Sequence, residues 1–195
     1  MSTPTEAPAS SPRRAELLER TLEYAARTSL SELSLRPLAA EIGSSPRVLI
    51  YLFGSKEGLL REVLAASRAQ QLAVVQAALA EEASPREAIR RLWEWMCDPE
   101  HRGLARLFME AYSRSLGGGE PWVGFAADSV HDWLPALRRM HAAPGAPAPT
   151  DAQVTVTLAV LRGLLYDLLS GAGEERVIAA MDFYLETTFG PRSGH

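Results

Sequence analysis

LSLRPLAAEIGSSPRVLIYLFGSKEGLLREVL, residues 33–64, decides the fold. Ser34 stands at a helix cap, and Leu35, Leu38, Ala39 and Ile42 then recur at helical spacing, with Pro37 tolerated in the first turn. Gly43 stops that short helix. Ser45-Pro46 repeats the start signal, because serine can accept from free backbone N–H groups and proline gives up nothing at the first helical position. A third helix, 46–53, therefore follows the second after a three-residue turn. On it Leu49, Leu52 and Phe53 share one face, while Arg47, Ile50 and Tyr51 lie on the other. Such a division suits a helix anchored in a core on one side and offering base-edge contacts on the other.

Outward from this segment, the reading is helical throughout, with no convincing period-two alternation. A first helix opens at Ser11-Pro12 with Leu18, Leu22 and Ala25 as its buried stripe. A fourth runs from Ser55 to about Glu82 on Leu59, Leu60, Val63, Leu64, Leu72, Val75 and Leu79. Ser84 to Glu87 has the form of a capping box, and Asp98-Pro99 caps a helix over 101–116. Gly117 to Gly119 is a break, 122–141 a helix interrupted at Pro135, and 142–150 an exposed loop. Helices over 151–170 and 174–189, joined by Gly171-Ala172-Gly173, form an antiparallel hairpin. Val154, Leu158, Leu161, Leu165 and Leu168 make one stripe of the first, and Val160, Leu164 and Leu169 widen its apolar surface enough to predict contact with another subunit.

Composition bounds the function. The 195 residues are 47% hydrophobic and 23% charged, as expected of a folding globular chain. The apolar runs are broken by Arg162 and Asp167 short of the roughly 20 residues of a membrane span, so no membrane partner is expected. One cysteine, Cys97, excludes an intrachain disulfide and fits a reducing cytoplasm. The four histidines are too scattered for a metal site, no cofactor is implied, and no nucleophile elbow, phosphate loop or dinucleotide fingerprint points to an enzyme. A net charge of −4 argues against a general polyanion binder, yet residues 43–56 carry Arg47 and Lys56 with no acid, so cationic charge is concentrated locally.

Residues 33–64 resemble the signature of the TetR family of bacterial transcriptional regulators: a short helix, a glycine turn, a recognition helix ending in phenylalanine, then Lys-Glu-x-Leu opening the next helix. The resemblance implies an all-α chain of about nine helices. It would divide into a disordered tail (1–12), a three-helix helix-turn-helix head (13–56) and a helical ligand-binding and dimerisation domain (57–195). It further implies a homodimer through the last two helices, a palindromic double-stranded DNA operator, and a small-molecule effector that releases the DNA, with repression the expected output. Ser34, Arg36, Ser45, Pro46, Arg47, Ile50, Tyr51 and Lys56 are the candidate DNA contacts, Arg47 and Tyr51 toward bases and Ser34, Ser45 and Lys56 toward phosphates. The chain departs from the family at Ile50, where tyrosine is common, at Val48, where threonine is common, and at Leu52. The alternative is a helical small-molecule binding protein or enzyme with a vestigial helix-turn-helix.

Aromatic and methionine residues of the C-terminal part, Trp95, Phe108 and Trp133 among them, could line an apolar cavity with a few polar groups. Trp93, Met96, Met109, Tyr112, Trp122, Phe125, Asp128, His131, Arg162 and Tyr166 are the candidate effector contacts, and Arg106 is a further polar candidate.

Overall fold

The computed structural model describes residues 11–28, 34–81, 83–118, 122–171 and 173–190. Among these residues there are nine α-helices: α1 (Pro12–Ala25), α2 (Leu35–Glu41), α3 (Pro46–Phe53), α4 (Lys56–Ala80), α5 (Pro85–Cys97), α6 (Arg102–Leu116), α7 (Phe125–His141), α8 (Asp151–Ser170) and α9 (Glu174–Phe189). A 3-10 turn, Pro99–His101, precedes α6. The all-α architecture read from the sequence is the observed one. Of the tail expected over 1–12, residues 1–10 lie outside the described residues, as do Leu33, Gly119, Ala172 and His195. Ser11 and Pro12 instead open α1, with the Ser11 hydroxyl accepting from the Arg14 N–H.

Polar starts and glycine stops set the helix boundaries. Ser45, Ser55, Ser84 and Thr150 each accept from the backbone N–H three residues on. Ser34 differs from expectation: it occupies the cap position of α2 but its side chain makes no cap bond. At Ser84 only half of the expected box forms, because the Glu87 carboxylate is engaged by Arg91 one turn later. The full reciprocal box is at Thr150 and Gln153. Gly171 ends α8 in the left-handed region at φ 76°, a conformation that side-chain-bearing residues adopt at a cost, and so turns the chain back into α9.

Two apolar cores divide the molecule. The first joins Leu17, Leu22 and Ala25 of α1, Leu38 and Ala39 of α2, Leu49 and Phe53 of α3, Leu59, Leu60 and Val63 of α4, and Leu104, Leu107 and Ala111 of α6. Packing thus runs across the 56/57 boundary. The α1 stripe is Leu17, Thr21 and Ala25 with Leu22, while Leu18 is half-buried. The register shifts by one because Thr21 buries its hydroxyl at no penalty, donating to the Leu17 carbonyl at 2.6 Å. The second core joins α5, α7, α8, α9, the second half of α4 and Met109 of α6.

Helix α7 begins at Phe125, three residues later than read from the sequence. Trp122 lies in the preceding turn, 1% exposed, and packs into the first core. Pro135 sits inside α7 on its exposed side, where the loss of one backbone donor is tolerated. Val160, Leu164 and Leu169 are half-buried and pack against the chain's own second core. The exposed face of α8 carries Ala152, Val156, Ala159, Gly163 and Tyr166, a stripe without a charge, and Ile178 and Phe183 of α9 are also exposed. Helix α8 is long and apolar enough to cross a membrane by length and composition. Its apolarity divides between the core-facing stripe and this open one.

Candidate functional site

Helix α3 is amphipathic about the turn that precedes it. Leu49 is 1% exposed and Phe53 is buried against α1, α2 and α4, whereas Tyr51 is 62% and Ile50 39% exposed. Arg47 and Val48 share the open side. Val48, a departure from the family pattern, also faces outward beside the predicted contacts. Ser34 and Arg36 are exposed, and Ser45, Pro46 and Lys56 are half-buried at the starts of α3 and α4. None of the eight predicted DNA-contact positions is buried. The Ser45 hydroxyl is committed to the Val48 N–H at 3.3 Å, so its second lone pair and its proton are what it could offer a phosphate.

Three arginines of α1, unremarked in the sequence, hold this unit in place. Arg13 donates to the Gly43 carbonyl at 2.8 Å and Arg20 to the Ile42 carbonyl at 3.2 Å, so both grip the turn between α2 and α3. Arg14 donates to the Leu52 carbonyl at the end of α3, stacks over the Phe53 ring at 4.9 Å and pairs with Glu62 of α4. Their signal in the sequence was only a run of charge at a helix start, which ordinarily reads as a solvated face.

The C-terminal part holds two adjoining hollows. The inner one, of about 50 Å³, lies among α4, α5, α6, α7 and α8 and is walled by Leu92, Trp95, Met96, His101, Leu104, Phe108, Met109, Trp133, Leu158, Leu161 and Leu165, with Gln71 and Arg162 as further polar members. The outer one, of about 480 Å³, is polar and lies between α4, α6 and α7, with Arg61, Arg68, Phe125, Asp128, Ser129, His131 and Asp132 on its walls. Gln71, Phe108 and Trp133 belong to both.

The predicted effector contacts are divided among several places. Met96, Met109 and Arg162 line the inner hollow, and Phe125, Asp128 and His131 the outer one. Tyr112 lies beside them, its hydroxyl accepting from Arg162 at 3.2 Å. Trp93 is 4% exposed in the second core and turns toward a shallow hollow with Cys97 and Met181. Trp122 is in the head core, and Tyr166 is on the open side of α8, paired with the Ser113 hydroxyl at 3.1 Å. Arg106 is exposed and is not on either wall. His101, unpredicted, stacks on Trp95 with centroids 3.8 Å apart and bonds the Trp95 carbonyl through Nδ1 at 2.8 Å.

Arg162 is the centre of the polar arrangement. It donates to Tyr112 and, at 2.8 Å, to the Ser129 hydroxyl, and its guanidinium lies over the Tyr112 ring at 4.8 Å and the Phe108 ring at 5.9 Å. Burial draws its pKa downward, while the neighbouring Tyr112 and Tyr166 act the other way.

Solved structures share this arrangement of helices. A protein from Rhodococcus sp. assigned to the TetR family of transcriptional regulators superposes with a TM-score of 0.66 at 21% identity, covering 90% of this chain and 100% of its own. This chain has the TetR-regulator fold. A TetR transcriptional regulator from Streptomyces coelicolor matches with a TM-score of 0.57 at 22% identity, over 90% of this chain and 97% of that one. One from Rhodococcus sp. RHA1 matches at 0.60 and 16%, over 93% and 97%. No protein-family model matches the sequence, and no curated protein matches it.

Proposed function

We propose that this chain is a transcriptional regulator of TetR type: a cytoplasmic homodimer that binds an inverted-repeat DNA operator and is released by a small molecule, acting as a repressor. The observation that carries the proposal is the open face of α3, where Arg47, Val48, Ile50 and Tyr51 stand outward on a helix whose other face is locked into the head core. Bidentate hydrogen bonding by Arg47 and apolar contact from Val48, Ile50 and the Tyr51 ring suit the edges of guanine and the methyl of thymine. Ser34, Arg36, Ser45 and Lys56 suit phosphates.

Dimerisation is supported by the uncharged stripe on α8, with Gly163 open enough for a second helix to approach closely, and by Ile178 and Phe183 on α9. By resemblance to the family, a twofold dimer through this face is expected to present its two α3 helices to major grooves about 34–36 Å apart. The effector would enter the paired hollows between α4 and α8.

A gel shift with the DNA upstream of the chain's own gene tests the reading. A complex weakened by salt is expected. Arg47→Ala or Tyr51→Ala should lower affinity about 10-fold or more, corresponding to loss of about 1–3 kcal/mol per base contact. If both variants shift that DNA as the parent does, the assigned face is wrong.

A further inference from the structure

Arg162 projects from α8 into a wall that is otherwise almost wholly apolar, and both hydrogen-bond partners it has among the described residues are neutral hydroxyls, on Tyr112 and Ser129. Among the described residues, ion pairs tie other arginines to carboxylates, and Arg162 is in none of them. Arginine stays charged at any physiological pH, and Arg162 is half-buried, so the part of its charge withdrawn from water without a counter-anion is unfavourable. The rings of Phe108 and Tyr112 offset part of that cost, and three of the five guanidinium N–H groups remain for another acceptor.

Its position adds a second observation. Arg162 lines the inner hollow, while Ser129, to which it donates, lines the outer one, so the cation stands at their junction. On the outer side Asp132 is neutralised by Arg68, leaving Arg61, Asp128 and His131 as the other titratable groups facing the space. On the inner side Trp95, Met96, Phe108, Met109 and Trp133 present a largely apolar surface, with Gln71 and His101 its other polar members. A molecule that satisfies both must be anionic at one end and apolar along the rest.

We infer that the effector is an amphipathic organic acid whose carboxylate pairs with Arg162 and whose apolar body enters the hollow bounded by α5, α6 and α8. This rests on the reading of the hollow as an effector site. Fork-to-carboxylate pairing is directional, so Arg162 selects charge and orientation while the apolar wall supplies contact area.

The test uses three probes with one chain length, each below its micellar concentration: decanoate, 1-decanol and decylammonium. Binding to the full chain is followed by calorimetry and by the fluorescence of Trp95 and Trp133. Decanoate should bind at least 10-fold more tightly than 1-decanol, with decylammonium weakest. Arg162→Gln should remove that preference and leave 1-decanol unchanged, and Arg162→Lys should restore part of it. Equal affinity of decanoate and 1-decanol, unchanged decanoate binding by a folded R162Q variant, or no decanoate binding at millimolar concentration would each overturn the inference. The selectivity of the parent protein decides the matter if R162Q fails to fold. DNA release is scored separately. Decanoate that binds through Arg162 without releasing DNA upholds the acid site and refutes the effector reading. Release of DNA by both decanoate and 1-decanol at equal affinity does the reverse.

Discussion

Replacing Gly103 by alanine would set a single methyl group against the backbone of another helix. A Cβ at this position would lie 1.7 Å from the Ala26 carbonyl oxygen, 2.1 Å from its carbon and 2.8 Å from the Ala25 oxygen. Ordinary contact begins at 3.4 Å, so the start of α6 and the end of α1 must part by more than an ångström. No flexible side chain can yield in their place, since all three obstacles are backbone. Overpacking of this kind costs about 1–3 kcal/mol. Alanine would return up to about 1 kcal/mol through its better helix propensity, but Gly103 lies in the first turn of α6, where little of that gain is realised. The expected balance is a loss of about 1–2 kcal/mol. For a chain of this size that lowers the melting midpoint by roughly 2–8 °C, followed by circular dichroism at 222 nm. Gly163→Asp, on the open stripe of α8 with nothing within 4 Å, provides the contrast: it should leave helicity intact while weakening the proposed dimer in sedimentation. A Gly103→Ala protein melting at or above the parent would refute the close approach of α1 and α6.

Two further outcomes follow from particular side chains. Ser45→Ala removes the bond to the Val48 N–H and should cost about 1 kcal/mol by denaturant titration, whereas Ser34→Ala, with no cap bond to lose, should cost almost nothing. Equal losses would show that the two caps are equivalent. His141 is half-buried, its Nε2 2.6 Å from the Thr157 hydroxyl, and burial lowers its pKa below the ordinary 6.5. The unfolded chain therefore takes up the proton first as pH falls, so stability should decline below about pH 6.5 until the folded-state pKa is passed. His141→Gln should flatten that part of a urea-midpoint profile measured from pH 7.5 to 5, and an unchanged slope would assign the decline to other groups.

Much of the head was legible because local chemistry and tertiary packing agree there. Ser45-Pro46, Ser55 and Gly43 are strong start and stop signals, and an eight-residue helix has only one way to bury both Leu49 and Phe53, which left Arg47, Ile50 and Tyr51 outside. The α1 register differs from its sequence pattern because a threonine that satisfies its own hydroxyl counts as apolar in the fold but polar in the sequence. Trp122 departs from its sequence reading for a related reason: an aromatic residue in a turn joins whichever core the chain has reached, and here that is the head. The cavity was only partly legible. Leu158, Leu161 and Leu165 form a core stripe by periodicity, and nothing in that periodicity says that part of the stripe faces empty space. Nor could spacing foretell that Gln71 and His101, distant in sequence, meet on one wall.

The small volume of the inner hollow bears on how occupancy could reach the head. A site that encloses an organic ligand usually measures about 300–1,000 Å³, well above the 50 Å³ found here, so an occupant must displace side chains or helices. Leu104 and Phe108 are the residues that cannot ignore it. Leu104 lines the hollow and also belongs to the head core, while Phe108 touches both cores and both hollows. Both stand on α6, which meets α1 at Gly103 with no slack. Pushing Leu104 and Phe108 outward therefore loads the contact between α6 and α1, and α1 grips the turn before α3 through Arg13 and Arg20. The work available is bounded by the difference in ligand affinity between the two states, about 1–3 kcal/mol in typical coupled sites, or 5- to 150-fold in DNA affinity. Gly103 and Leu104 are neighbours on α6, so displacement at the cavity wall would act directly on the contact with α1, and the coupling should depend more on the Gly103 contact than on any one residue of the cavity wall.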